Sequence, residues 1–299
     1  MSDKNTPLPS TLLRPSARSR YRRSVSAVMA GIAAAAALLA VTALVLVLVY
    51  ILVGGIDGLR LSIFTEGPVP MGQPGGGLRN GIVGTLILMS IASAIGLPIG
   101  ILGGVYQLET NTRFSRTLRF FTDVMNSIPS IVMGLFAYLI VVLPVAQINP
   151  GHAFSAFAGG VALGFLMIPT VMRTTEEILR LVPITLRDAS LALGASQWRT
   201  TLSVILPAAR GGIVTGILLA LARIAGETAP LLFTAFGNLD FNARLDRPID
   251  ALPLNIFNYA ISPYENLHHL ALTAAIILLA IILILSIASR YAIRGQTTE

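Results

Sequence analysis

The sequence has no cysteine, only one lysine (Lys4), and charged side chains at just 12% of its 299 positions. Without cysteine there is no disulfide frame and no thiolate metal site. The shortage of charge excludes more. A soluble domain carries about 25% charged residues, and at half that level too little polar surface remains to face water. The chain also lacks a Gly-x-x-x-x-Gly-Lys-[Ser/Thr] phosphate loop and a Gly-x-Ser-x-Gly nucleophile elbow. His152, His268 and His269 are scattered and share no metal-ligand spacing, so they read as residues at helix ends. Nothing in the chain looks catalytic, and no cofactor or metal is expected in it.

What is present is apolar and comes in blocks. Hydrophobic residues make up 54% of the chain and the mean hydropathy is +0.77. A bilayer core demands runs of about 20 apolar residues. Residues 1–24 are polar and basic and read as a disordered tail. Val25 to Val53 is a run without charge, far longer than the roughly 7–15 residues of a signal-peptide core. It reads as a first transmembrane helix, with a cleaved leader the lesser alternative. Residues 54–80, rich in glycine and proline, form an external loop. Further spans are expected at Gly81–Tyr106, Val124–Ala146, Phe154–Met172, Gly211–Phe236 and His268–Ser289, with a short tail over 291–299. The fold class is an all-α membrane protein of six transmembrane helices.

Cation placement orients the bundle. With both termini cytoplasmic, the inner side carries six Lys and Arg in the N-terminal tail, three in 107–121, five in 173–210 and two near the C-terminus. The outer side carries four: Arg60, Arg79, Arg244 and Arg247. The positive-inside rule therefore puts both termini in the cytoplasm. Because the arginines sit at the ends of apolar blocks, the basic balance reflects topology and implies no nucleic-acid partner. No internal repeat stands out, so an inverted-repeat secondary carrier gains no support.

Arg223 and Glu227 interrupt the fifth block. A buried charge costs at least about 2.5–3.5 kcal/mol on insertion scales, so such residues face a bundle interior or a wet path. Four residues apart on a helix, they share a face. At about 100° per residue, Gly212, Gly216, Ala220 and Thr234 fall on that face too. Small residues let another helix approach closely, so the stripe reads as a packed interface that holds a charge. Arg223 suits an oxyanion, because its planar fork can donate two parallel hydrogen bonds. A structural ion pair that locks helices fits the pattern equally well. Two further places could line a polar path. One is Asn126, Ser127 and Ser130 around Pro129, which frees backbone groups but also fits a simple kink. The other is Arg173 beside Glu176 and Glu177, which also fits a helix end with solvated charges.

Residues 183–207 are the most informative polar stretch. Pro183 can start a helix, Gly194 can end it, and Ser196 can cap a second, which gives an exposed knob fit for a partner's groove. A plain solvated loop is the alternative. Asp188-Ala189-Ser190, then Gly194, then Val204-Ile205-Leu206-Pro207 resembles the EAA motif of permeases in ATP-binding-cassette importers, with Asp for Glu, Ser for Ala and Val for Ile as mild departures. Ser127-Ile128-Pro129-Ser130-Ile131-Val132-Met133-Gly134-Leu135-Phe136 and the run from Ala222 through Arg223, Gly226, Glu227, Thr228 and Pro230 to Ala235 are similar to permeases of phosphate importers. The resemblance covers about residues 80–290.

It implies a type I importer transmembrane domain over 81–290, with residues 183–207 as the coupling segment. Asp188, Ala189, Ser190, Gly194, Leu206 and Pro207 would then engage an ATP-binding subunit dimer, which binds and hydrolyses the ATP. It also implies pairing with a PstC-like permease and delivery of substrate by an extracytoplasmic phosphate-binding protein, all within membrane lipid. The substrate path would comprise Arg223, Glu227, Thr228, Asn126, Ser127, Ser130 and Arg173. A permease for another oxyanion such as molybdate or phosphonate, an ion-coupled carrier and a phosphate-sensing subunit remain alternatives.

Overall fold

The computed structural model describes residues 17–70, 73 and 75–294. Residues 1–16 of the tail expected over 1–24, and residues 295–299 at the other end, lie outside the described residues, while residues 17–24 are helical rather than disordered. The chain divides into two units, residues 1–52 and 53–299.

The first unit is essentially one apolar helix, α1 (Ala17–Gly55), whose last residues pass into the second unit. The helix begins eight residues before the expected Val25. Arg, Ser and Tyr carry only small helix penalties, and a helix already nucleated by the apolar run extends into them at little further cost.

The second unit holds the remaining helices: α2 (Leu61–Thr65), α3 (Arg79–Glu109), α4 (Arg113–Ser127), α5 (Ser130–Ala137), α6 (Leu143–Ile148), α7 (Ala156–Arg180), α8 (Ile184–Ala192), α9 (Gln197–Thr200), α10 (Leu206–Ala225), α11 (Ala229–Leu232), α12 (Leu252–Ala260) and α13 (Glu265–Arg294). Among the described residues, six helical stretches are long and apolar enough to cross a membrane. The fold is all-α, with six candidate transmembrane helices among the described residues.

Helix α7 is the central post. Its apolar window is the most buried of the six. It packs along α3 through a ladder of glycines, Gly96 against Met167, Gly100 against Val171 and Gly104 against Met172 and Thr175. A Cβ added to Gly100 would stand 2.7 Å from Val171 Cβ. Backbones that close gain dispersion contacts and need no hydrophobic effect, the usual basis of helix association in lipid. Leu88, Ala92, Leu163, Met167, Ile224 and Leu231 close the core around this contact.

Several expected boundaries shift, each for a local reason. Span three is not one helix from Val124 to Ala146. Pro129 disfavours the helical conformation at the residue before it, so Ile128 is extended (φ −74°, ψ 132°). α4 ends at Ser127 and α5 begins at Ser130. Span five does not run from Gly211 to Phe236. It begins at Gln197, within the expected coupling segment, and ends at Ala225. Its N-terminal extension runs through a π-turn at Thr201–Ile205, where the Leu206 N–H reaches back to the Thr201 carbonyl. That wide turn sits just before Pro207, whose ring would clash with a regular helical carbonyl and whose nitrogen cannot donate. The same pairing recurs at Tyr138–Val142 before Pro144. α7 continues eight residues past Met172, and α13 runs beyond Ser289 to Arg294.

Candidate functional site

Two helix breaks meet inside the bundle. One is the Ile128-Pro129 joint. The other follows Ala225, where Gly226 (φ −97°, ψ 2°) ends α10 and Thr228 leads into α11. Gly134 of α5 lies directly against Pro230 of α11, with no room for a Cβ. The broken ends of the third and fifth spans are thus neighbours.

A line of polar side chains runs past this point. Arg223 sits in the last turn of α10, and its Nη1 donates to Thr170 Oγ1 at 3.2 Å. Thr170 Oγ1 stands 3.5 Å from Asn126 Oδ1, and Asn126 Nδ2 donates to the Pro169 carbonyl at 3.3 Å. One turn along α7, Arg173 Nη1 meets Asp123 Oδ1 at 3.2 Å, and its Nε meets Glu177 Oε1 at 2.6 Å. Arg223, Asn126 and Arg173 therefore belong to one line contributed by α10, α4 and α7. Thr170 and Asp123 complete it, and neither was singled out from the sequence.

Glu227 is a looser companion than its spacing suggests. The helix stops before it, so Arg223 and Glu227 do not share a continuous turn. Arg223 Nε stands 3.9 Å from Glu227 Oε1, outside hydrogen-bond range. The guanidinium is 44% exposed. A partly exposed pair at that separation contributes about 0–1 kcal/mol. The small-residue stripe on α10 does pack: Gly212 against Ile178 and Gly216 against Thr174, both on α7. Thr170, Thr174 and Ile178 form the matching α7 face. Thr234 does not extend the stripe, because the helix has already broken.

The other named residues are placed differently. Ser127 donates to the Asp123 carbonyl of its own helix at 2.9 Å. Ser130 is half-buried at the first position of α5. Thr228 faces a separate cavity of about 360 Å³ with Gly226, Pro253, Phe257 and Leu278. Glu176 overturns the reading of its neighbourhood as solvated charges. It is 2% exposed and holds Arg119 at 2.7 Å and Arg180 at 2.5 Å, tying α4 to α7. Arg173 and Glu177 do remain exposed.

Residues 183–200 form a compact knob. Pro183 precedes α8, Gly194 takes a left-handed φ of +80°, and Ser196 Oγ accepts the Arg199 N–H at 3.4 Å. Asp188, Ala189 and Gly194 are exposed, and Ser190 Oγ pairs with Thr200 Oγ1 at 2.9 Å. Leu181, Ile184 and Leu193 are 81%, 71% and 89% exposed, an apolar surface unlike an ordinary solvated loop. Arg187 fixes the knob to the end of α3 through two bonds to Glu109, Nη1 to Oε2 at 3.0 Å and Nη2 to Oε1 at 2.5 Å. Gln197 adds a third at 3.1 Å. Leu206 packs into a cluster with Val105, Leu179, Ile205 and Ala209, while Pro207 is exposed.

Six candidate membrane spans, a polar line at two helix breaks and a helical knob are the features of a membrane transport component. Residues 96–297 match the family described as "Binding-protein-dependent transport system inner membrane component". The chain belongs to that family, and within it to the PstA phosphate transport permeases, and is accordingly a multi-pass inner-membrane protein.

The relatives include "Phosphate transport system permease protein PstA" of Yersinia pestis, 45% identical over 79% of each chain. The protein of the same name from Haemophilus influenzae is 38% identical over 90% of this chain and 94% of its own. "Probable phosphate transport system permease protein PstA" of Methanocaldococcus jannaschii is 37% identical over 74% of this chain and 77% of its own. Among solved structures, an inward-facing MetNI methionine ABC transporter superposes with TM-score 0.57 at 20% identity, covering 73% of this chain and 94% of its own. A bacterial alginate ABC importer does so with TM-score 0.53 at 14% identity, covering 87% and 96%. These two share the fold.

Proposed function

We propose that this chain is the permease subunit of an ATP-driven inorganic phosphate importer and forms its translocation path together with a PstC-like permease. The single observation that carries the reading is the line Arg223–Thr170–Asn126–Arg173. It presents two half-exposed guanidiniums where two spans break. Arginine forks match phosphate oxygens in geometry and charge, and broken helices are tolerated in a membrane where they are buried in protein or line a water-filled cavity. The relatives' names add phosphate in particular, against the molybdate, phosphonate and ion-coupled alternatives.

On this reading both termini are cytoplasmic, and the 183–200 knob docks into an ATP-binding subunit dimer that carries all of the ATP chemistry. A phosphate-binding protein delivers substrate from outside. ATP binding draws the two coupling knobs together, the spans tilt outward and phosphate passes Arg223. Hydrolysis then reopens the inner side. The weakly held Arg223 is free to exchange Glu227 for phosphate, which makes Glu227 a placeholder. ATP-driven phosphate uptake by the reconstituted complex tests this. Arg223→Gln is expected to abolish uptake while the complex still assembles. Undiminished uptake by that variant would make the pair structural and move the path elsewhere.

A further inference from the structure

The polar line holds an acceptor as well as guanidiniums. Asn126 Nδ2 donates to the Pro169 carbonyl at 3.3 Å. A carbonyl can only accept, so this bond fixes which end of the amide faces it. The other end, Oδ1, stands 3.5 Å from Thr170 Oγ1. Thr170 has one hydroxyl proton, and its shorter contact is with the Leu166 carbonyl of its own helix at 3.2 Å. On its acceptor side it receives Arg223 Nη1 at 3.2 Å. The half-buried Asn126 therefore keeps lone pairs on Oδ1 for a further donor. Arg223 and Asn126 both border Thr170, and one tetrahedral oxyanion can bridge them with hydrogen bonds of about 2.8 Å. The guanidinium donates to one of its oxygens, whereas Oδ1 asks a second oxygen for a proton.

At neutral pH inorganic phosphate always carries a proton on oxygen, and sulfate carries none. Monohydrogen phosphate and sulfate otherwise share their charge and tetrahedral shape. The proton is the difference that this pair of groups can read. We propose that Asn126 is a specificity-determining residue: its Oδ1 accepts the P–O–H of phosphate while Arg223 holds the anion, so the path admits protonated oxyanions and disfavours sulfate. The inference rests on the reading of Arg223 as an anion contact. A neutral amide suits the task, because a carboxylate in its place would repel both anions. Against sulfate, Oδ1 faces an oxygen lone pair and gains no bond. The amide cannot answer by flipping, because Oδ1 would then face the Pro169 carbonyl. Losing a hydrogen bond to a charged partner and leaving its acceptor unpaired amounts to about 10- to 100-fold in affinity.

The chain has no cysteine, so a single introduced thiol reports on it alone. Ser127→Cys places that thiol beside Asn126 at an exposed position. The full complex is reconstituted in proteoliposomes without a binding protein, whose own selectivity would otherwise decide the outcome. The rate at which N-ethylmaleimide labels this chain is followed against phosphate, arsenate and sulfate at constant ionic strength. Phosphate and arsenate, both protonated, are expected to slow labelling at concentrations about 10-fold or more below that of sulfate. Asn126→Leu in the same background should erase the preference, and Arg223→Gln should remove protection by all three anions. Equal protection by sulfate and phosphate, or a preference that survives Asn126→Leu, would overturn the proposal and leave the anion site standing. The comparison of anions needs no Asn126 variant, so it decides the matter even where Asn126→Leu fails to assemble. No protection by any anion, or protection that survives Arg223→Gln, would overturn the underlying reading of Arg223 and the proposal with it.

Discussion

Glu109→Gln should loosen the coupling knob without dismantling the bundle. The carboxylate is 8% exposed and takes both fork bonds of Arg187, itself 24% exposed, as well as one from Gln197. Breaking a buried pair by removing one partner costs about 3–5 kcal/mol. The amide keeps the volume and one acceptor, and Arg187 can reach water, so the loss here is nearer ~2 kcal/mol. None of it falls on the α3–α7 glycine ladder, so the complex still assembles. The knob is the element that would carry force from the ATP-binding subunits, and its tie to α3 is this pair. The assay is phosphate imported per ATP hydrolysed in proteoliposomes, alongside the thermal midpoint of the complex. The expected result is a lowered midpoint, near-normal ATP hydrolysis and a several-fold drop in phosphate per ATP. Arg187→Ala should match it, and the double variant should cost no more than either single one. If Glu109→Gln leaves both the midpoint and the transport ratio unchanged, Glu109–Arg187 is not the linkage and the knob is held by its apolar contacts.

Other changes probe other parts of the fold. Gly100→Ala places a Cβ against Val171 and the Ile168 carbonyl and should destabilise the α3–α7 contact by about 1–3 kcal/mol, read as reduced folded yield in detergent. Gly194→Val forces a β-branched residue to φ +80° at a cost of about 1–3 kcal/mol and should weaken assembly with the ATP-binding subunits, scored by co-purification. Asp250, 6% exposed on the loop between α11 and α12, has its carboxyl raised by burial from 3.8 to about 6, against the opposing hydrogen bonds of Asn255 and the Ala251 N–H. A folded-state value above the unfolded one favours the folded form at low pH. This contribution, about 3 kcal/mol for two units, is complete below about pH 4 and is lost as pH rises through about 6. Thermal unfolding at pH 4.5 and 7.5 should show the loss, and Asp250→Asn should abolish the difference.

The six apolar blocks were legible because a bilayer demands long runs and little else. Their ends were less so. Pro129, Pro144 and Pro207 were visible in the sequence, but only the packing decides whether a proline breaks a helix or is absorbed by a π-turn. Pro129 breaks one. Pro144 and Pro207 each follow a π-turn that moves the offending carbonyl aside. The knob was readable because Pro183, Gly194 and Ser196 act through local backbone preferences. The polar line was half readable. Arg223, Asn126 and Arg173 stood out as polar groups near or within apolar runs, whereas Thr170 looked like any helix threonine. The signal for it lay in spacing: Thr170, Thr174 and Ile178 repeat every fourth residue, Thr174 and Ile178 facing the glycines of α10 and Thr170 its Arg223. The α3 ladder Gly96, Gly100, Gly104 was likewise present as a four-residue repeat. Glu176 was misjudged, because its burial depends on α4 folding back to bring Arg119 over it.

The placement of the breaks carries the remaining argument. An unbroken fifth span would have set Glu227 one turn below Arg223 and closed a tight pair. Gly226 ends the helix instead and leaves the carboxylate 3.9 Å away. The guanidinium is then held by one neutral hydroxyl, Thr170, which fixes its position without neutralising it. One turn along, Arg173 is doubly neutralised by Asp123 and Glu177. An anion moving along α7 would therefore meet an available charge first and a masked one second. On the proposed path, such an order would favour entry at Arg223 and would require a rearrangement before passage at Arg173. α4 bears Asp123 and is tied to α7 through Arg119 and Glu176, and α7 runs directly into the knob at Pro183. Motion of the knob thus has a covalent route to the masked arginine, and Asp123→Asn combined with Glu177→Gln should unmask it, raising phosphate leak through the complex in the absence of ATP.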